Sequence, residues 1–322
     1  MDRLLDADID PAPLAGKRIA IIGFGNQGRA QVLNLRDGGF DVIVGLREGS
    51  TSAVRVAADG LATATPAEAA DGADLVMLLA PDETLAAIYA GIEPALRPGT
   101  ALGFSHGLAI RFGLIAPRPD LDVFMVAPKG PGTALRSLFE EGRGMVALWA
   151  VAQDATGNAP AVAKAYGRAI GCGRAGLIAS TFAEECEADL FNEAAVVWGA
   201  VPAILEAGYE TLVEAGVSPE VAYLECVGEL KLLADLVEAR GLAGMREAIS
   251  NTAELGAVLG GARIIDDRVR ETLRTILAEI RSGDFARQLA AEAASDYPLL
   301  RAARKRARKA AVEQARLALQ PS

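Results

Sequence analysis

Up to about residue 180, short apolar runs rich in β-branched residues alternate with amphipathic stretches. The clearest runs are Arg18–Ile22, Asp41–Val44, Leu75–Leu79, Ala101–Phe104, Val123–Val126 and Val146–Val151. Helical patterns lie between several of them, such as Arg29–Arg36 and Pro66–Ala70. Continuous apolar strands alternating with helices predict a mostly parallel sheet covered on both faces. From about Thr181 the strand-like runs disappear. Long Ala/Leu/Glu-rich patterns follow over Ala183–Glu206, Pro219–Ala239, Asp266–Arg281 and Ala303–Leu319. Their apolar residues recur at three and four, as in Leu224, Val227, Leu230, Leu233 and Val237. That period predicts helices throughout. The expected fold is α/β: a Rossmann-like, mostly parallel sheet over 1–181, then an all-helical domain over 182–322.

The chain has 322 residues, enough for two domains with their own cores. Its net charge of −10 argues against nucleic acid as the main partner. The basic run from Arg301 to Lys309 reads as the solvated face of a terminal amphipathic helix. Cys172, Cys186 and Cys226 show no close spacing and are expected to be reduced, apolar thiols of a cytoplasmic protein. The acidic N-terminus is no signal peptide. No segment approaches about 18 uninterrupted apolar residues, so no membrane span is expected. His106 is the sole histidine, which excludes any site needing two imidazoles.

Residues 18–28 read RIAIIGFGNQG. Gly23, Gly25 and Gly28 form G-x-G-x-x-G, with Phe24, Asn26 and Gln27 between them, after an apolar strand and before a helix. In that context the first glycine permits a tight turn, the second lets a pyrophosphate approach the backbone, and the third allows close packing. The helix N-terminus favours the phosphate charge. About twenty residues on, an NAD-specific domain would carry an acid at the second strand's end. Here Arg47, Ser50 and Ser52 offer a guanidinium and hydroxyls suited to a 2′-phosphate, with Glu48 among them. NADPH is expected over NADH.

Two carboxylate pairs lie in the helical half: Asp189 with Glu193, and Glu225 with Glu229, each four residues apart. On a helix each pair shares one face. Leu190, Phe191 and Leu230 beside them suggest partial burial, and a cation should offset the repulsion. A divalent metal held by hard oxygens fits. Between Gly244 and Gly261, Asn251 and Glu254 have the spacing of a helix start; the polar cluster Ser250–Glu254 could equally line a site.

At this point the chain resembles ketol-acid reductoisomerase, the acetohydroxyacid isomeroreductase, in its short form. The resemblance runs from about residue 10 to 310 and rests on GFGNQG, VGLREGS, LLAPDE, FSHG, DVFMVAPKGPG, QDATG, EADLFNE, LEAGYETLVEAG, ISNTAE and the Glu225/Glu229 pair. It implies a magnesium-dependent alkyl migration in 2-acetolactate or 2-aceto-2-hydroxybutyrate. NADPH then reduces the 2-keto acid to a 2,3-dihydroxy acid of branched-chain amino acid synthesis. It further implies two Mg²⁺ ions, with Asp189 bridging them, Glu193 completing one site, and Glu225 and Glu229 serving the other from a partner subunit. The minimal unit would then be a dimer, and the helical domain knotted. Ser250 matches the serine that meets the substrate carboxylate. His106 matches a His-Gly motif with a role in positioning waters and relaying protons. Lys129, in Lys-Gly-Pro-Gly ending at Gly132, would hold Glu193 or a metal-bound water. Asp82 would lie near the cofactor.

Several supporting positions depart from the family pattern. Trp198-Gly199-Ala200 stands where Cys-Gly-Gly is usual, Ala194 where glutamine is common, Ala109-Ile110-Arg111 where Asn-Ile-His is common, and Leu255-Gly256-Ala257 where Tyr-Gly-Asp is common. These touch the substrate more than the chemistry. They leave open a related NADPH-dependent reductase of specialised metabolism acting on another keto acid or an imine. A β-hydroxyacid dehydrogenase also joins a Rossmann domain to helices, but it would need no paired acids. A non-enzymatic NADPH-binding protein would show no metal dependence.

Overall fold

The computed structural model describes residues 2–320. It divides into two compact units, Met1–Cys186 and Glu187–Ser322. The first is built on one nine-stranded sheet: β1 (Arg3–Leu4), β2 (Arg18–Ile22), β3 (Asp41–Gly45), β4 (Thr63–Ala64), β5 (Leu75–Leu78), β6 (Ala101–Phe104), β7 (Asp122–Pro128), β8 (Ala147–Gln153) and β9 (Leu177–Ala179). Their order across the sheet is β1-β9-β8-β7-β6-β5-β2-β3-β4. The pairings are parallel except β7 with β8 and β1 with β9. The central strands are buried on both faces, as β2, β5, β6 and β7 show, which is why they read as continuous apolar runs. One core cluster gathers Ile19, Ile21, Val32, Met77 and Phe124 on one face, and a second gathers Ala20, Ile22, Val76, Phe104 and Met125 on the other.

All six predicted strands are present. β1, β4 and β9, of two or three residues each, have too little pattern to stand out. Because β2, β5, β6 and β7 run parallel, their C-terminal ends share one edge. Strand order reverses between β2 and β5, and ligands of such sheets bind outside the strand ends at that reversal. The phosphate-loop glycines, Asp82, His106 and Lys129 all follow these four strands.

The second unit is helical, as the periodicity predicts, but three predicted helices are interrupted. Phe182–Phe191 runs into a π-helical turn, Asn192–Val196, before the helix Ala200–Glu214. Pro219–Tyr223 runs into a second π-helical turn, Leu224–Gly228, before Leu230–Ala248, which itself kinks at Gly241 (φ +67°). The last predicted helix is two, Pro298–Ala307 and Ala311–Ala318. The core of this unit is small, centred on Tyr209, Ala222 and Ala315. Large apolar side chains such as Trp198, Leu224, Leu232, Leu255 and Leu259 stay exposed.

The helical stretch Phe182–Glu214 is, by length and composition, apolar enough to cross a membrane, and only 11% of its apolar window is buried. Glu184, Glu185, Glu187, Asp189 and Glu193 interrupt the stretch, so it contains no long uninterrupted apolar run, as the sequence indicates.

Candidate active site

The turn after β2 has the geometry the glycine spacing demands. Gly23 adopts φ +110°, and a Cβ there would lie 2.6 Å from the Leu79 carbonyl oxygen. Gly28 packs against that turn, where a Cβ would meet the Gly23 carbonyl oxygen at 2.5 Å. Around Gly25, the N-cap of the helix Asn26–Asp37, a Cβ would meet nothing within 4 Å. The close contacts thus fall on the first and third glycines, and open space faces the second, where a pyrophosphate would approach.

The Lys-Gly-Pro-Gly segment is tied to this turn. Gln27 Nε2 donates to the Gly130 carbonyl (2.8 Å), and a Cβ on Gly132 would fall 2.0 Å from the Asn26 carbonyl oxygen. A buried polar chain then links the turn to the end of β6. Gln31 Nε2 donates to Gln27 Oε1 (3.2 Å) and to Ser105 Oγ (3.0 Å), while Tyr166 donates to Gln31 Oε1 (2.7 Å). Ser105 precedes His106, so the cofactor turn and the histidine share one hydrogen-bonded support.

At its centre stands Glu185, a residue the sequence reading missed. Its side chain is 1% exposed. Oε1 accepts from Lys129 Nζ at 2.7 Å, and Oε2 accepts from the Gly107 N–H at 2.8 Å and lies 3.1 Å from His106 Nδ1. Burial would drive the carboxyl up, but the hydrogen bond and charge of His106 and those of Lys129 outweigh it and hold it below the usual range. For His106, burial opposes the charged form. Hydrogen bonds to Cys186 and Glu185, with the Glu185 and Asp82 charges, override that and push it up to about 11. Asp82, on the turn after β5, is therefore close enough to act on His106. Cys186 is buried against the histidine, and its thiol is raised mainly by burial. Cys172 is also buried and pushed up to about 12 by burial and the Asp6 charge, while Cys226 is half-buried. A signal for Glu185 was present: Glu185, Asp189 and Glu193 repeat every four residues, one turn further back than the pair singled out.

Both predicted acid pairs sit at the π-helical turns. Asp189 lies in the last turn of the preceding α-helix and Glu193 lies within the first π-helical turn; Glu225 lies within the second and Glu229 caps it. Such turns insert a residue into a helix and are frequent at functional sites. The expected partial burial holds for Asp189 only. Glu193, Glu225 and Glu229 are exposed, because the apolar faces beside them are not covered within this unit. Among the described residues, Glu225 and Glu229 join no group of three potential metal ligands. Trp198 is 66% exposed. Ser250 is the N-cap of the helix Asn251–Ile264, its Oγ accepting from Ala253 N–H at 3.2 Å, so that helix starts one residue earlier than the Asn251/Glu254 spacing implied.

In the loop after β3, Arg47 and Glu48 are exposed and Ser50 and Ser52 half-buried. Ser50 Oγ accepts from the Ser52 N–H at 3.3 Å.

The chain is similar to known proteins along nearly its whole length. Residues 13–176 match the family described as acetohydroxy acid isomeroreductase, NADPH-binding domain, and residues 182–321 match ketol-acid reductoisomerase, C-terminal domain. A ketol-acid reductoisomerase (NADP(+)) of Saccharopolyspora erythraea is 51% identical over 294 residues, covering 91% of this chain and 89% of that protein. The solved structure of an NADH-preferring ketol-acid reductoisomerase from an uncultured archean is 40% identical, with a TM-score of 0.96 over 99% of this chain and 98% of that one. A semialdehyde dehydrogenase NAD-binding protein from Cupriavidus necator shares the fold alone, at 21% identity and a TM-score of 0.62, covering 83% and 99% of the two chains.

Proposed function

This chain belongs to the ketol-acid reductoisomerase family, and from that membership we propose that it converts a 2-acetohydroxy acid into a 2,3-dihydroxy acid by alkyl migration followed by reduction with NADPH. Membership displaces the β-hydroxyacid dehydrogenase and non-enzymatic readings. The substrates are 2-acetolactate and 2-aceto-2-hydroxybutyrate, and the products feed branched-chain amino acid synthesis. The observation that carries the reading is the placement of both acid pairs at π-helical turns.

The donor set fits Mg²⁺, being carboxylates with no second imidazole or close thiol pair. Asp189, Glu193, Glu225 and Glu229 would hold two ions. When bound, Mg²⁺ supplies Lewis acidity that polarises the substrate carbonyl and offsets charge developing on oxygen. The chain's own residues do the rest. Glu185 orients His106 through Nδ1 and keeps its ring charged, which suits the imidazole to exchange a proton with substrate oxygen or an intervening water. Lys129, held by Glu185, brings positive charge to the same strand edge. Ser250 serves the substrate carboxylate.

Arg47, Ser50 and Ser52 support NADPH, in line with the cofactor in the Saccharopolyspora relative's name; the archaeal relative prefers NADH. Exposed Glu225 and Glu229, and the uncovered apolar surface around them, support self-association in which a second copy of this chain completes each site. A second copy also accounts for the apolar stretch Phe182–Glu214 without a membrane, in a soluble metabolic enzyme.

The test is oxidation of NADPH by purified protein given 2-acetolactate and Mg²⁺. Turnover that EDTA abolishes and Mg²⁺ restores is expected. Intact NADPH binding without turnover of either acetohydroxy acid would overturn the assignment.

A further inference from the structure

The helix Ala53–Ala58 follows the loop that carries Ser50 and Ser52, and it aims one side chain back at the glycine turn. Arg55 Nη2 donates to the Phe24 carbonyl at 3.1 Å and to Ser52 Oγ at 3.0 Å. Phe24 lies between the two glycines of the turn, and Ser52 is a predicted phosphate ligand. One guanidinium group therefore ties the 2′-phosphate loop to the pyrophosphate turn. No carboxylate is paired with it among the described residues. The nearby acid, Asp59, is engaged by Arg29 through two bonds of 2.7 and 2.8 Å, and its depressed pKa reflects first the Arg29 hydrogen bond and then, against burial, the charges of Arg29, Arg36 and Arg55. Arg36 in turn pairs with Asp37 at 2.8 Å, so Arg29 and Arg36 each have their own acid and Arg55 is left without one among the described residues. Among the described residues Arg55 Nε and Nη1 have no hydrogen-bond partner, so the donors of the fork beyond the tether remain for an anion.

We infer that Arg55 is a cofactor-specificity residue: held by Ser52 and the Phe24 carbonyl, it is a second cation, with Arg47, for the 2′-phosphate of NADPH. This deepens the cofactor reading above and rests on it. A phosphate monoester near neutral pH carries more than one negative charge and takes two or three charge-assisted donors. Arg47 is a single exposed side chain with Glu48 beside it. Arg55 is held in place before the ligand arrives, so less rotamer freedom is lost on binding. The tether also means that occupying the 2′-phosphate site steadies the turn that receives the pyrophosphate.

The experiment is equilibrium titration of the full-length protein with NADPH, NADH, 2′,5′-ADP and ADP, using wild type, Arg55→Ala and Arg55→Lys. Arg55 is exposed, and thermal melts check that each variant is folded. Arg55→Ala is expected to weaken NADPH and 2′,5′-ADP about tenfold or more, and NADH and ADP less than about threefold. Arg55→Lys keeps the charge without the fork and falls between the two. Equal losses for phosphorylated and unphosphorylated ligands would show a tether only and overturn the inference, as would no loss at all. The wild-type titration separates the two claims. NADH binding more tightly than NADPH there would sink the cofactor reading, while the ratio of variant to wild type for each ligand still decides the role of Arg55.

Discussion

At the scale of the residue, Glu185 joins the chemistry together. It is almost fully buried, and it meets a lysine, a histidine and a backbone N–H with its two oxygens. Removing one partner of such a buried network leaves the others uncompensated, at a cost of about 3–5 kcal/mol. Glu185→Gln keeps the shape and loses the charge. It is expected to lower kcat about 100-fold while NADPH binding stays within about threefold, because His106 loses its orienting charge and the glycine turn is untouched. The pH dependence of stability, measured as the melting difference between wild type and Glu185→Gln without metal, follows from the two shifts. Glu185 lies below its ordinary 4.5, so its contribution is complete above 4.5 and is lost as pH falls through the lower folded value. His106 lies above its ordinary 6.5, so its contribution is complete below 6.5 and fades as pH rises towards about 11. The difference should peak between 4.5 and 6.5 and shrink on both sides; a flat profile would contradict the charged pairing. The sequence hid this residue for a physical reason. Three acids in the first turns of a helix look like ordinary complements to its dipole, and only the sheet's parallel strands bring Lys129 and His106 to one of them.

At the scale of the element, the legible parts are those with strong local pattern. Continuous apolar runs gave the central strands, and the glycine spacing gave a turn whose first and third positions leave no room for a Cβ. The π-helical turns were not legible, since a spacing of four fits an α-helix and a π-helix almost equally well. Burial of the acid pairs was overestimated, because apolar neighbours show that a face seeks cover without showing what covers it. Ser250 combines a local and a functional signal, and substitution separates them. Ser250→Ala should cost about 1 kcal/mol of stability through loss of the helix cap, whereas Ser250→Gly should cost only a few tenths. Both should raise KM for the acetohydroxy acid by about tenfold if the hydroxyl also meets the carboxylate. Steady-state kinetics beside thermal melts reads this out, and an unchanged KM in Ser250→Gly would leave the serine a cap alone.

At the scale of the whole molecule, the helical unit has a small core and broad exposed apolar surface, which a second copy of the chain would cover. Light scattering should show a dimer or larger assembly. Asp189→Ala and Glu229→Ala should each be inactive alone, and co-refolded mixtures should regain part of the wild-type rate if each site draws its acid pairs from two chains. Mixtures that stay inactive would place both pairs in one chain. The central claim is that migration precedes reduction, and product connectivity tests it most directly. Given 2-acetolactate, NADPH and Mg²⁺, proton NMR of the product should show two methyl singlets on one carbon, the pattern of 2,3-dihydroxy-3-methylbutanoate. A methyl doublet with a single methyl singlet, the pattern of 2,3-dihydroxy-2-methylbutanoate, would show reduction without migration and contradict the account.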